Sequence, residues 1–168
     1  MSSRQRVAGR FLKAKASLPT DFTLTAKSTS DSIKVQLKDR WISAGYVHAN
    51  FETYSLEEIG SFNCADDMEA LIERMPDELI DRDGLVRVVE VNLSGLEEQY
   101  KNKGFGVMMY SRVLSEAFSE NNRMPFLFIP NYCHRRSTSD EALRVWKSLA
   151  RNFDNEGDVL AIRRNPIW

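Results

Sequence analysis

The segment that most constrains this chain reads VRVVEVNLSGLEEQYKNKGFGVMMYSRVLSEAF, from Val86 to Phe118. An apolar run of strand composition passes through a polar loop into Lys101-Asn102-Lys103-Gly104-Phe105-Gly106. An amphipathic helix pattern follows at once. A strand that feeds a glycine turn at a helix start is a ready anion site, because the first N–H groups and the helix dipole point at whatever sits there. Gly104 and Gly106 carry no Cβ and let the backbone approach a phosphate. Lys101 and Lys103 add positive charge at the rim.

The order of the remaining patterns predicts an α/β fold. Residues 2–17 read as an amphipathic basic helix, set apart as segment 1–20 from one domain over 21–168. Phe22–Ala26 and Ile33–Leu37 alternate as strands, Lys38 and Asp39 form a turn, and Arg40–Glu52 is the second arm of a hairpin. A helix spans Asp66–Arg74 and stops before Pro76. Val86–Leu96 is the central strand. Phe105–Glu120 is a helix with Val107, Met108, Ser111, Leu114 and Phe118 near one face. Phe126–Ile129, bracketed by Pro125 and Pro130, is a short buried strand. Ser137, Thr138 and Ser139 cap a helix, Ser137 and Asp140 at capping-box spacing, with the stripe Ala142, Val145, Trp146, Leu149 and Phe153. Asp158–Arg163 is the last strand.

Charge is unevenly spread. The net of −1 over 168 residues divides into nine Lys/Arg against three Asp/Glu in residues 1–40, three against fourteen in 41–98, and eleven against seven in 99–168. The basic last third suits a polyanion, and the acidic middle either attracts a basic acceptor or is a solvated helix face. No apolar run approaches the ~20 residues of a membrane span, so no membrane partner is expected. Cys64 and Cys133 lack ligand spacing with the two His, which points to free thiols, no metal and a cytoplasmic setting.

The strand, Tyr100 and the turn together resemble motif A of the GCN5-related N-acetyltransferases, written Gln/Arg-x-x-Gly-x-Gly/Ala between the fourth strand and third helix. Lys101 stands at the first position. Ser139–Phe153 resembles the family's motif B, with Ala142, Leu149 and Phe153 in place, Ser139 for its Asn and Trp146 for its Tyr. The resemblance implies a mixed, mostly antiparallel sheet with a splayed central strand, flanked by helices. It implies acetyl-CoA as cofactor and transfer of acetyl to a primary amine on a small molecule or protein. The cofactor-binding residues it implies are Ser94, Gly95 and Leu96 through their backbone, Lys101, Asn102, Lys103, Gly104, Phe105 and Gly106 around the pyrophosphate, and Ser139. One departure is plain: the family's two helices between its first and second strands are missing, since residues 28–32 hold only a turn. Acceptor specificity therefore does not carry over.

Amide formation from a thioester and an amine needs a proton acceptor near pH 7 and a donor for the developing oxyanion. Glu90 and Ser94 are the catalytic candidates. Glu90 lies in an apolar run, fourteen residues before Gly104, where the histone-acetylating branch keeps its base. The other reading of Glu90 is a solvated face opposite Val89 and Val91. His48 is a lesser base candidate. The phase slip at Ser94-Gly95 reads as a β-bulge or as a plain strand end. Trp146, a donor only, cannot serve as the acid that a Tyr provides, so Tyr132, Cys133 or His134 substitutes, the thiolate leaves unprotonated, or the chain is catalytically silent. The alternative function is accordingly a binding module on the same fold. Arg4, Arg6, Arg10, Lys13 and Lys15 offer a weak polyanion arm, but the acidic middle makes a nucleic-acid partner unlikely on this reading.

Overall fold

The computed structural model describes residues 18–61, 77–120, 126–130 and 139–153. The expected helix 2–17, helix Asp66–Arg74, last strand Asp158–Arg163 and both cysteines lie outside these residues.

Five strands form one sheet in sequence order, β1-β2-β3-β4-β5. They are β1 Phe22–Ser28, β2 Ser32–Asp39, β3 Ile42–Ser55, β4 Leu85–Leu96 and β5 Leu127–Pro130. The first three junctions are antiparallel and β4–β5 is parallel. The sheet is thus mixed and mostly antiparallel, in keeping with the expectation. Helix α1 is Leu56–Gly60, α2 is Phe105–Glu120 and α3 is Asp140–Phe153.

Period-two burial explains the sheet's two faces. Phe22, Leu24 and Ala26 of β1, Ile33, Val35 and Leu37 of β2, Val47 and Ala49 of β3, and Val89 and Val91 of β4 join one core with Phe105, Met109, Tyr110, Val113 and Ala117 of α2. The helix therefore presents the i, i+4 series from Phe105 to Ala117 to the sheet. The expected stripe is rotated from that face: Val107, Met108 and Leu114 are half-buried at the core's margin, and only Ser111 of that set is buried. Leu149 of α3 is buried in the same core, with Val145 and Trp146 packed against it.

Two local features differ from the sequence reading, and a third, the serine cap of α3, bears it out at Ser139. The β2–β3 turn falls at Arg40 and Trp41, because Lys38 and Asp39 stay paired, Asp39 with both Phe22 and Ile42. Arg40 takes the left-handed conformation there (φ 53°), and the Asp39 carboxylate accepts a 2.8 Å hydrogen bond from Tyr100. Ser55 and Glu58 form a capping box that starts α1, a helix the periodicity does not announce. The capping serine of α3 is Ser139, whose Oγ accepts from the Ala142 N–H at 3.3 Å; Ser137 lies outside the described residues.

The β-bulge is real but sits elsewhere. His48 pairs with Leu93 and Ala49 with Val91, so Asn92 is the extra residue of β4. Ser94, Gly95 and Leu96 remain paired with Val47, Tyr46 and Gly45. The inserted residue reverses the facing of everything after it. Val89 and Val91 face α2, and after the bulge Ser94 and Leu96 face α2 in their turn.

Candidate functional site

The site grows from the end of β4. Its pairing with β5 ends at Val91 opposite Pro130, which has no N–H to extend the ladder. Beyond the bulge, Leu93–Leu96 pair with β3 on one side, and no strand among the described residues pairs with them on the other. The chain then makes a 3-10 turn at Glu98–Tyr100, enters the Lys101–Gly104 turn and starts α2.

Two residues of the turn need positive φ: Asn102 at 59° and Gly104 at 82°. The outward position of Gly104 is open, with nothing within 4 Å of where a Cβ would stand. Met108 N–H donates to the Gly104 carbonyl, so the N–H groups of Phe105, Gly106 and Val107 precede the first intrahelical donor. Such free backbone N–H groups at a helix start are the geometry an anion can use. Gly106 serves a different purpose than close approach to phosphate: a Cβ there would lie 2.7 Å from Val145 Cγ2, so its bareness lets α3 close on α2.

The lysines divide in the same way. Lys101 Nζ bridges Glu98 at 2.7 Å and Glu141 at 3.3 Å, contacts that raise its pKa. Its charge ties the turn to α3 and is already matched. Asn102 Oδ1 accepts from Arg144 at 3.4 Å, a second tie to α3. Lys103 stays exposed, 6.0 Å from the Tyr100 ring centroid, and makes no ion pair among the described residues. Ser139 is exposed, and its hydroxyl is occupied as a cap.

Glu90 and Ser94 lie on opposite faces of β4. Glu90 is 7% exposed, far from the solvated placement that alternation allows, and its Oε2 accepts a 3.0 Å hydrogen bond from the Tyr54 hydroxyl. Burial, then that hydrogen bond, pushes the Tyr54 phenol well above its ordinary pKa. Ser94 Oγ lies 3.0 Å from the Tyr110 hydroxyl on the α2 side. Tyr110 is 3% exposed, and burial raises its pKa. The Tyr110 ring meets Trp146 at 5.4 Å, edge to face, and Phe128 at 6.3 Å. A buried phenol from α2 thus stands beside the Trp146 indole. Tyr110 is a residue the sequence reading passed over; its one signal was a hydroxyl within an otherwise apolar helix stretch, Val107 to Tyr110.

His48 lies on the same face as Glu90, next to Tyr46 at 5.5 Å between rings. Burial first, then Lys34, depresses its pKa, leaving a neutral imidazole at pH 7. Tyr132, Cys133 and His134 lie outside the described residues. Among the described residues no His, Cys, Asp and Glu group could hold a metal ion, and no helix is long and apolar enough to cross a membrane. No protein-family model, curated protein or solved structure matches this chain.

Proposed function

We propose that the chain is an acetyl-CoA-dependent N-acyltransferase of the GCN5-related type that moves acetyl to a primary amine. The observation that carries this reading is one juxtaposition: the far end of β4, paired on one side only among the described residues, runs directly into an open backbone cradle at the start of α2. The backbone of Ser94, Gly95 and Leu96 has the freedom to pair with the amides of a pantetheine arm. Gly104 and the amides of Phe105–Val107 suit the pyrophosphate, with Lys103 adding charge. Acetyl-CoA would supply an acetyl group activated as a thioester.

The protein's own groups then have separable tasks. The Glu90 carboxylate takes up a proton from the incoming ammonium, and the Tyr54 hydroxyl orients it. Tyr110, held protonated by burial, keeps a proton 3.0 Å from Ser94 Oγ at the strand's end. That pair fills the acid role that Trp146 cannot. Lys101 acts by joining the turn to α3 and not by touching phosphate.

The test is a thermal melt with and without CoA. At a hundredfold excess over its dissociation constant CoA stabilises the native chain by about 2.7 kcal/mol, and Gly104→Glu removes the shift. An unshifted native melt at millimolar CoA refutes the reading. A second reading, a silent binding module, draws on the matched charge of Lys101 and on Trp146. It wins if CoA binds but no acetyl reaches any amine in a turnover screen.

A further inference from the structure

We propose that the outer face of β1–β3, the one turned away from α2, is a docking surface for single-stranded nucleic acid. The strand pairings lay its side chains out in rows across the sheet. One row is Lys27, Lys34, His48 and Leu93; the next is Thr25, Gln36, Tyr46 and Gly95; the third begins Thr23, Lys38. A row holding a flat ring and amide donors therefore lies between two rows that carry lysines.

The lysines are placed against their own electrostatic interest. Lys27 and Lys34 stand directly opposite one another on neighbouring strands and both are exposed. Like charges in that position are destabilising. Among the described residues neither they nor Lys38 has an acidic partner. No Asp or Glu occupies an outward position of β1, of β2 or of β3 before Glu52. Lys34 is also felt by His48, whose protonation it disfavours. A polyanion lying on this face relieves the repulsion.

The ring row distinguishes nucleic acid from a merely acidic protein. Tyr46 rests over Gly95, where a Cβ would come within 2.8 Å of the ring. Gly95 thus seats an aromatic platform that remains 37% exposed, with Leu93, 51% exposed, in the neighbouring row. Bases stack on such a ring irrespective of sequence, while phosphates meet lysines on either side. The acidic residues of α1 and of the Asp77–Leu79 turn follow later in the chain, and all three outer lysines lie on β1 and β2.

The experiment is fluorescence anisotropy on the full chain with a labelled twelve-nucleotide oligothymidylate, titrated in salt. The native chain is expected to bind in the micromolar range at low salt. Lys27→Gln with Lys34→Gln weakens binding about tenfold, and the log–log salt slope shrinks by about 1.4, two contacts at ~0.7 each on a single strand. Tyr46→Ala weakens it by about tenfold with the slope kept, and Tyr46→Phe, which preserves the ring and the fold, retains native affinity. Circular dichroism melts confirm that each variant is folded. Three results overturn the proposal: no binding at low salt, native affinity in the double lysine variant, or equal affinity for polyglutamate, which assigns the face to an acidic protein. Native affinity in the lysine variant together with loss on deleting residues 1–17 moves the site to the N-terminal arginines and equally overturns it.

Discussion

The two halves of β4 are one strand with two environments. From Val88 to Val91 it lies between β3 and β5 and is buried throughout, Glu90 included. From Leu93 to Leu96 it pairs, among the described residues, with β3 alone and is half-exposed or exposed. A single inserted residue, Asn92, separates them. The first half is a scaffold whose two-sided pairing leaves no backbone group for a ligand. The second half has a backbone edge to offer and, through the reversed facing, brings Ser94 to Tyr110. One extra residue in the chain thus separates the two-sided strand from the candidate site.

The sharpest way to break this comparison is to place the same charge in each half. Val89→Asp buries a carboxylate 1% exposed in the parent, between α2 and the sheet. It is expected to cost more than about 4 kcal/mol and to prevent folding. Leu93→Asp, at a site 51% exposed, is expected to stay within about 0.5 kcal/mol of the parent. Chemical denaturation measures both, and comparable losses would show the two halves to be equally structural.

Next in size is the catalytic contrast within the buried half. Glu90→Gln preserves shape and is expected to lower acetyl turnover by ~10²–10⁴ at neutral pH, with CoA affinity unchanged. Equal turnover would leave Glu90 a structural partner of Tyr54 and pass the base to His48.

The glycines of the turn give a smaller, paired effect. Gly106→Ala is expected to cost about 1–3 kcal/mol by forcing α3 off α2, since its Cβ would sit 2.7 Å from Val145. Gly104→Ala costs only about 1 kcal/mol, from the positive φ in otherwise open space. Melting temperatures of the two variants decide the order; a costlier Gly104 variant would mean the turn is more tightly packed than its geometry indicates.

The smallest effect concerns His48 on the outer face. Its folded pKa is below the unfolded one, so the unfolded chain binds more protons at mildly acidic pH. Its neutral form adds no penalty well above pH 6.5; as pH falls through the unfolded value toward the folded one, stability declines and then levels off. A proton NMR titration of the imidazole should show a midpoint below 6.5 that rises on Lys34→Gln. A midpoint indifferent to Lys34 would weaken the picture of a strained cationic row.

Much of the fold was legible because it rests on local periodicity. The alternation of Ile33–Leu37 and the span of α2, Phe105–Glu120, follow from which residues avoid water along one strand or helix. The start of α1 was legible in principle too, in the capping box of Ser55 and Glu58. The turn at Arg40 and Trp41 was not. Asp39 remains in its strand through pairings to Phe22 and Ile42 and a bond to Tyr100, which is distant in sequence.

The site divides along the same line. Composition and spacing by themselves determined that a strand leads through a glycine turn to a helix N-terminus, because glycine's conformational freedom and apolar period are properties of the chain. Only the tertiary structure decided where the bulge lies, since register belongs to two strands and not to one. It also decided that Gly106 serves Val145, that Lys101 is matched by Glu98 and Glu141, and that Tyr110 meets Ser94. Each of these is a contact between residues whose meeting depends on how α2 and α3 pack on the sheet, and packing is settled by the shape of the whole core rather than by any one segment.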